Sequence, residues 1–312
     1  MWDVVIALMP ALLAAVWFFG LDALRLVAVC VATCLFTEWG CRKLMKRPGS
    51  LSDWSAVVTG LLLAFNLPPS LPTWMAAVGA VFAIAIAKQV FGGLGCNPFN
   101  PALAGRAFML ISFTGAMTTW SASGWTQALN LPGVDAMTSA TPLGLLKDSL
   151  KGGGALPDFG WRALAHFCSG NVNGCVGETS ALAILIGAAY LLGRKVITWH
   201  IPAAYLLSVF VYAVILEHTS PAGAAIPALA HVLTGGLFLG AFFMATDMVT
   251  TPVTKRGMLV FGVGCGVLTM LIRTSKTGAY PEGVSFAILI MNAFTPLINR
   301  ATRGRVFGAT KA

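Results

Sequence analysis

Charged residues are scarce in this 312-residue chain. They make up 10% of the sequence, whereas hydrophobic residues make up 57% and the mean hydropathy is +0.81. A soluble domain carries about 25% charged residues, so this composition cannot cover a surface that faces water. It also excludes a disordered chain, because 19 Phe and 9 Trp supply ample apolar area to bury. The composition predicts an all-α polytopic membrane protein.

Motifs of soluble enzymes and of metal or nucleic-acid binding are also missing. The seven Cys and four His have no zinc-ligand spacing, so we assign no metal site. Without a dinucleotide fingerprint or a nucleophile beside a base, we assign no catalytic residue and expect the chain to be incomplete as an enzyme. The net charge of +9 is spread along the chain, so no nucleic-acid partner is expected. The start Met1-Trp2-Asp3 lacks the basic region of a cleavable signal peptide.

Ten apolar segments are candidate transmembrane helices. At about 20 residues per crossing, a chain of this length has room for about ten. The segments lie at about Val4–Gly20, Leu24–Cys41, Ser55–Leu67, Trp74–Phe91, Ala102–Thr119, Ser180–Leu192, Val196–Leu216, Ile226–Ala245, Met258–Ile272 and Val284–Ile298. The polar stretch 120–179 separates the first five from the last five.

The distribution of Lys and Arg predicts the orientation of these segments. If the N-terminus is inside, thirteen basic residues lie in the inner connections and six in the outer ones. Lys88 counts among the inner residues and Arg273 among the outer ones. Because cytoplasmic loops carry the basic excess, we expect both termini in the cytoplasm and the 120–179 stretch outside, with membrane lipid around the helices.

A faint internal repeat relates the two groups of segments. Residues Val58–Leu63 resemble Leu233–Phe238, and Gly95–Pro98 resemble Gly278–Pro281, in the same order. Five segments per half is an odd number, so the second copy would be inverted and a site would lie between the halves. This predicts two inverted five-helix repeats, 1–119 and 180–312, joined by an outer loop 120–179, similar to the urea-transporter-like fold. Chance similarity between apolar sequences is the alternative explanation.

The most distinctive local pattern lies in the outer loop. Thr141-Pro142 is typical of an N-cap followed by Pro at the first helical position, which predicts a short helix at Leu143–Leu150. A helix cap alone does not explain the whole pattern Asp135-Ala136-Met137-Thr138-Ser139-Ala140-Thr141. It resembles the flavinylation motif of the RnfD/NqrB family, membrane subunits of ion-translocating electron-transport complexes. The commoner residue at position 139 of this motif is Gly, where this chain has Ser139.

The resemblance implies FMN joined by a phosphoester to Thr141. The attachment motif that a flavin transferase would recognise comprises Asp135, Thr138, Ser139, Ala140 and Pro142. A Thr hydroxyl is a poor nucleophile without a neighbouring base, so we expect Thr141 to be modified by that separate enzyme. Three further stretches are similar to family signatures, so the resemblance covers most of the chain: Ser55–Pro69, Phe91–Ala102 and Phe243–Pro252.

The resemblance also implies a function, partners and a location. The chain would be the flavin-carrying subunit of a complex that passes electrons between ferredoxin and NAD while moving Na+ or H+, in a bacterial or archaeal cytoplasmic (inner) membrane. The implied partners are an NADH/FMN subunit, a ferredoxin-like iron–sulfur subunit, a second FMN-tethered subunit and two small membrane subunits. A solute channel or transporter of urea-transporter type, without a redox cofactor, is the alternative function.

A second candidate site involves a helix break and a membrane-edge carboxylate. Asn97-Pro98-Phe99-Asn100-Pro101 cannot be continuous helix, so Asn97 and Asn100 belong either to a cytoplasmic turn or to a pocket for a flavin or an ion. The family resemblance implies a noncovalent riboflavin in the membrane part. Asp247 and Thr250 are candidate pocket residues, although Asp247 could instead be an interfacial cap or pair with Lys255 and Arg256.

The sequence leaves the roles of three other acidic residues and of two cysteines open. Asp22, Glu38 and Asp53 lie within or at the edges of apolar segments, where an acidic residue is costly. Cys168 and Cys175 flank a short outer segment and either form a small disulfide loop or remain free thiols.

Overall fold

The computed structural model describes residues 1–49, 51–120, 168, 170, 174–178, 180–219, 227–275 and 283–303. The secondary structure within these ranges is helical, without a strand, which confirms the all-α prediction. The attachment motif with Asp135, Thr138, Ser139, Ala140, Thr141 and Pro142, and the predicted helix Leu143–Leu150, lie outside the described residues.

The described part of the chain contains twelve α-helices, some of them very short. They are α1 (Trp2–Phe19), α2 (Leu21–Leu44), α3 (Ser55–Phe65), α4 (Thr73–Val81), α5 (Pro101–Ser112), α6 (Thr114–Met117), α7 (Ala181–Gly193), α8 (His200–Thr219), α9 (Ala228–Leu233), α10 (Leu237–Leu239), α11 (Lys255–Thr274) and α12 (Val284–Thr302). Two π-helical stretches, Phe82–Gln89 and Gly240–Met244, continue α4 and α10. Each of the ten predicted apolar segments therefore contains helix in its described part.

The helices differ in whether they are long enough to cross a bilayer. By length and composition, α1, α8, α11 and α12 qualify among the described residues, and α2 is longer still but charged near its end. By contrast, α3 has 11 residues and α5 has 12, or about 16 and 18 Å at about 1.5 Å per residue, against a hydrocarbon core of about 30 Å. These two short helices match the predicted segments in position, and whether each crosses the membrane stays a prediction.

The eighth segment departs most from the prediction. It was predicted as one helix over Ile226–Ala245, but α9 ends at Leu233 and α10 begins only at Leu237. Gly235 and Gly236 have φ values of 74° and 62°, a region that Gly enters without steric cost. The carbonyl groups freed by the break accept hydrogen bonds from Arg273, a residue of α11.

Two of the basic residues used for the orientation argument are buried within helices instead of lying in connections. Lys88 lies in the π-helical stretch after α4 and is 1% exposed, and Arg273 lies in the last turn of α11 and is also 1% exposed. The prediction that both belong to loops was wrong, because polar partners inside the fold satisfy both charges. Without them the basic excess on the inner side is twelve against five, so the inference on orientation is unchanged.

Small residues allow the helices to pack closely. A Cβ on Gly60 of α3 would lie 2.8 Å from the Val31 Cα of α2, and a Cβ on Gly262 of α11 would lie 2.8 Å from the Ala204 Cβ of α8. Close backbone approach at small residues is typical of helix packing in membranes. The first and last halves of the chain meet where α1 packs against α7 and where α5 packs against α12.

Candidate functional site

A cavity of about 380 Å³ lies between the two halves of the chain. Its walls come from both halves: Met1 and the first turn of α1, the first turns of α3, the loop before α5, the end of α7 with the residues that follow it, and residues 242–249. Most of the lining is apolar, including Val58, Leu62, Phe242 and Phe243, with a few polar side chains. Small-molecule sites are usually apolar clefts of about 300–1,000 Å³ with a few well-placed polar groups, so this cavity has the size and lining of such a site.

The Asn-Pro-rich segment forms one wall of the cavity and starts α5. Asn100 lines the cavity and caps the helix: its Oδ1 accepts from the Ala102 and Leu103 amides at 3.1 and 3.4 Å. Asn97 also lines the cavity. Its Nδ2 donates to the Phe99 carbonyl at 3.0 Å, and its Oδ1 is not part of this bond. The segment is a turn between helices and also lines the cavity, and the choice between a cytoplasmic turn and a flavin or ion pocket stays a prediction.

Asp247 also lines the cavity, in the loop between the π-helical stretch and α11. Its carboxylate accepts a hydrogen bond from the Thr250 hydroxyl at 3.3 Å and a long one from the Val249 amide at 3.5 Å. Within the described residues no ion pair joins it to Lys255 or Arg256, so that predicted pairing was wrong. Burial raises the pKa of Asp247 above its ordinary value.

Thr250 differs from the other predicted pocket residues because it does not line the cavity. It is 3% exposed and lies behind Asp247. Its carbonyl accepts a hydrogen bond from the Thr295 hydroxyl of α12 at 2.9 Å. Thr250 therefore orients Asp247 and connects the loop to α12, whereas Asn97, Asn100 and Asp247 face the same space.

A buried ion pair supports the cavity wall and was not predicted as part of the site. The Lys88 ammonium lies 3.1 and 3.0 Å from the two carboxylate oxygens of Glu38 and 2.6 Å from the Ser55 hydroxyl. The neighbouring Gln89 donates to the same carboxylate at 2.9 Å. π-Helical turns are frequent at functional sites, and this one brings two consecutive side chains to a single carboxylate. Lys88 and Ser55 both line the cavity.

The start of α3 positions Ser55 toward Lys88. The preceding residue, Trp54, has a φ of 63°, and its indole stacks on Trp2 with ring centroids 4.1 Å apart. The Ser55 amide and hydroxyl both donate to the Asp53 carboxylate, at 2.8 and 2.6 Å. Because its hydroxyl proton is directed to Asp53, the Ser55 oxygen is free to accept from Lys88.

The remaining residues singled out in the sequence have ordinary structural surroundings. Asp22 is exposed and pairs with Arg25 one turn away at 3.3 Å. Cys168 and Cys175 are not joined by a disulfide in the structure, and the Cys175 thiol donates to the Asn66 carbonyl at 3.3 Å.

Sequence reasoning missed Lys88 and Ser55 because their role depends on distant residues. A signal was present, since Glu38 and Lys88 are opposite charges inside two apolar segments. Two such charges are each costly unless they meet. A search for complementary charges within apolar runs would have paired them.

Proteins of named function are similar to this chain over nearly its whole length. The chain is 48% identical over 312 residues to a subunit of the Na(+)-translocating ferredoxin:NAD(+) oxidoreductase complex of Acetobacterium woodii, covering 100% of this chain and 91% of that protein. It is 43% identical to a subunit of the proton-translocating ferredoxin:NAD(+) oxidoreductase complex of Clostridium ljungdahlii, covering 100% and 92%.

A more distant relative and a family model extend the comparison. The chain is 41% identical over 334 aligned residues to a subunit of the ion-translocating oxidoreductase complex of Salmonella newport, covering 99% of this chain and 93% of that protein. None of these names describes a solute channel or transporter, the alternative considered from the sequence. The model of the NQR2, RnfD, RnfE family matches residues 1–308. Since this match spans nearly the whole chain, the protein belongs to the NQR2, RnfD, RnfE family.

Proposed function

We propose that this chain is the flavin-carrying membrane subunit of an ion-translocating complex that passes electrons between ferredoxin and NAD. The observation that carries the proposal is the full-length similarity to three proteins that are named as the same subunit of ion-translocating oxidoreductase complexes. One of these proteins is named for Na+ and another for the proton, so the proposal includes both coupling ions. As in the sequence analysis, the chain supplies only part of the enzyme.

The proposed covalent cofactor is FMN, joined by a phosphoester to Thr141. The support is the sequence Asp135–Pro142 and its similarity to the flavinylation motif. A flavin would supply one- and two-electron transfer when bound. Because a Thr hydroxyl needs activation to attack phosphorus, the proposal requires a flavin transferase.

The proposed noncovalent cofactor is riboflavin in the cavity, and the residues present fit it. The cavity has the size of a small-molecule site, with the aromatic side chains Phe242 and Phe243 on one side. Asn97 and Asn100 supply amide groups, and Asp247, held by Thr250, supplies a carboxylate that can accept from N–H or O–H groups or contact a cation. The remaining apolar walls would exclude water from the ligand.

Lys88 helps to build the wall of this pocket, but it has no N–H group left to donate to a ligand. Its ammonium is saturated by Glu38 and Ser55, so it forms a neutralised part of the wall. The pocket would therefore present amides and one carboxylate to its occupant, and the Lys88–Glu38 pair would hold α2, α3 and the π-helical stretch around it.

The proposed architecture is two inverted five-helix repeats, 1–119 and 180–312, joined by the flavin-bearing loop 120–179. Two contacts support it: α1 packs on α7 and α5 packs on α12, the helix pairs that a two-fold axis between such repeats would exchange. A local likeness adds to this, because Thr59 and Thr234 each donate to the carbonyl four residues earlier, at 2.9 and 2.6 Å.

The proposed setting is a bacterial or archaeal cytoplasmic membrane with both termini inside and the flavin loop outside. The basic excess in the inner connections supports this orientation. The proposed partners are an NADH/FMN subunit, a ferredoxin-like iron–sulfur subunit, a second FMN-tethered subunit and two small membrane subunits. Their presence would supply the dinucleotide and iron–sulfur chemistry for which this sequence has no motif.

The experiment that tests the function compares the complex carrying Thr141→Ala with the wild-type complex. We expect the flavin fluorescence of the denatured band and the mass increment of FMN to disappear, and NAD reduction by reduced ferredoxin in membrane vesicles to be lost. The matched control is Thr126→Ala, a Thr in the same loop outside the motif, which should keep the fluorescence and the activity. A Thr141→Ala band that stays fluorescent, or full activity without that flavin, would contradict the proposal.

The same variant tests the cavity. After Thr141→Ala removes the covalent flavin from this chain, a nonphosphorylated flavin extracted from the isolated chain by denaturation should remain at about one per chain. The substitution Val58→Trp, which fills the apolar wall, should abolish its retention. Equal retention in Val58→Trp would place the riboflavin elsewhere.

A further inference from the structure

A basic turn, residues 42–47, ends α2 and lies outside the cavity. It contains two arginines, two lysines and no acidic residue: Arg42, Lys43, Lys46 and Arg47. The positive-inside rule explains why such residues lie on the inner side, but it does not require them to converge on one place. Within the part of the chain that the structure describes, none of the four forms an ion pair with a carboxylate.

Two guanidinium groups of the basic turn converge on a glycine turn at the end of the π-helical stretch. The Arg47 Nη1 donates to the Gly92 carbonyl at 3.0 Å. The Arg42 Nη1 donates to the Pro48 carbonyl at 3.2 Å, and a Cβ on Gly93 would lie 2.7 Å from the Arg42 Nη2. Gly93 also has a φ of 99°, which L side chains rarely adopt. A residue without a Cβ therefore lets both guanidinium groups lie close to this backbone.

Both guanidinium groups keep donors for a further partner. A guanidinium has several N–H donors in a planar fork, and each of these two donates one to a backbone carbonyl. The Arg42 Nε is buried and has no acceptor among the described residues. Buried donors are nearly always hydrogen-bonded, and the fork geometry of Arg matches the oxygens of a phosphate or a carboxylate. The basic turn is therefore built to receive an anion.

Exposed aromatic side chains lie next to the charges on α2. Phe36, Trp39 and Lys43 are about one turn apart and share one face of the helix. Phe36 is 70% exposed and Trp39 is 47% exposed, with their ring centroids 5.8 Å apart. The Lys43 ammonium lies 5.0 Å from the Trp39 ring centroid, within cation–π range. An apolar face that ends in an indole and a cation is typical of a helix at the boundary between hydrocarbon and headgroups.

We propose that the basic turn binds the phosphate of an anionic phospholipid. Arg42 and Arg47 would donate to the phosphate oxygens, and an acyl chain would lie along Trp39 and Phe36. Basic pockets beside transmembrane helices bind anionic headgroups in this way. A free phosphate or an acidic protein in water would leave the exposed aromatic side chains without a partner. The headgroup would cover the glycine turn that leads to Asn97, so the lipid would support this part of the cavity wall.

The test measures lipid contact at Trp39 in nanodiscs that contain the full chain. Brominated phosphatidylglycerol, which is anionic, and brominated phosphatidylcholine, which has no net charge, each quench indole fluorescence on contact. Every variant is measured with and without Trp39→Phe, and the difference isolates the signal of residue 39. We expect phosphatidylglycerol to quench this signal at a concentration about tenfold or more below that of phosphatidylcholine.

Two arginine variants separate a specific site from general attraction to a basic surface. Arg42→Gln with Arg47→Gln removes the guanidinium donors and should abolish the preference for phosphatidylglycerol. The matched control is Arg300→Gln with Arg303→Gln, which removes two exposed arginines at the end of α12 on the same expected side of the membrane. The control should keep the preference. Equal quenching by both lipids in the wild type, or equal loss in the arginine variant and the control, would overturn the proposal.

A lysine variant covers the case in which the arginine variant does not fold. Lys43→Gln with Lys46→Gln removes two exposed charges of the basic turn and leaves the contacts of both arginines with backbone carbonyls in place. Because each basic residue near the surface adds to the attraction of an anionic headgroup, the preference for phosphatidylglycerol should fall several-fold. An unchanged preference in this variant would also overturn the proposal.

Discussion

Two carboxylates lie close to the cavity, and their surroundings differ in kind. Glu38 is 0% exposed, and its oxygens accept from the Lys88 ammonium at 3.1 and 3.0 Å and from Gln89 at 2.9 Å. Asp247 is half-buried on the cavity wall, with a Thr250 hydroxyl at 3.3 Å and a long amide contact. One carboxylate faces a full positive charge, whereas the other is held by neutral donors.

This difference separates a structural carboxylate from one that is available to a ligand. The charge of Glu38 is balanced inside the wall, and removing either partner would leave the other charge buried alone. Asp247 has neutral donors, Thr250 and Val249, as its hydrogen-bond partners, so its carboxyl group is available to whatever occupies the cavity. Burial raises its pKa, so a bound cation or a proton at this carboxylate would relieve the cost of its burial. We therefore expect substitutions at the two positions to affect different properties.

The largest loss of stability is expected when the buried Glu38–Lys88 pair is broken. Lys88→Met leaves the Glu38 carboxylate without its ammonium, and breaking such a pair typically costs about 3–5 kcal/mol. The measurement is thermal unfolding of the detergent-solubilised chain. The double substitution Glu38→Gln with Lys88→Met removes both charges and should recover most of the loss. A single variant as stable as the double variant would show that the pair does not hold the wall together.

A smaller effect is expected at the Asn100 cap. Asn100→Ala removes the acceptor for two amides at the start of α5 and the donor to the Met244 carbonyl, so we expect a loss of about 1–2 kcal/mol. Asn100→Asp keeps the cap acceptor but loses the donor, and it should be destabilised less than Asn100→Ala. The same unfolding measurement ranks the three proteins, and equal losses for both variants would assign the whole effect to the Met244 contact.

The smallest effect on stability is expected at Asp247. Asp247→Asn keeps the shape of the side chain and a group that can accept from Thr250, so we expect a change within about 0.5 kcal/mol at neutral pH. Electron transfer coupled to ion movement should nevertheless fall strongly, because the carboxylate charge in the cavity is gone. Unchanged coupling in ion-transport assays would mean that Asp247 is only a turn-stabilising residue.

The pH dependence of stability gives a second test of the role of Asp247. Because the pKa of Asp247 is raised in the folded chain, the folded state binds a proton at a pH where the unfolded state has already released it. Protonation therefore stabilises the fold, and this contribution grows as the pH falls from neutral toward the ordinary pKa of Asp. The difference in melting temperature between the wild type and Asp247→Asn, measured from pH 8 to pH 5, should shift in favour of the wild type as the pH falls.

Parts of the site could be predicted from the sequence because their cause is local. Pro98 and Pro101 interrupt helix wherever they stand, so the break that contains Asn97 and Asn100 was predictable, and Asn before Pro is a typical start of a helix. Pro252 interrupts helix in the same way shortly after Asp247. That these two segments face one cavity depends on contacts between the halves of the chain.

The sequence by itself determined the helical membrane class, the positions of the ten apolar segments and the family, because apolar runs and motifs are properties of neighbouring residues. Only the tertiary structure decided which buried charges are paired and where a segment is broken. Glu38 and Lys88 are fifty residues apart in the chain. The carbonyl groups left free by the break after Leu233 accept hydrogen bonds from Arg273 of α11. A buried charge or a free carbonyl must find its partner wherever the fold brings one, and sequence distance does not reveal that partner.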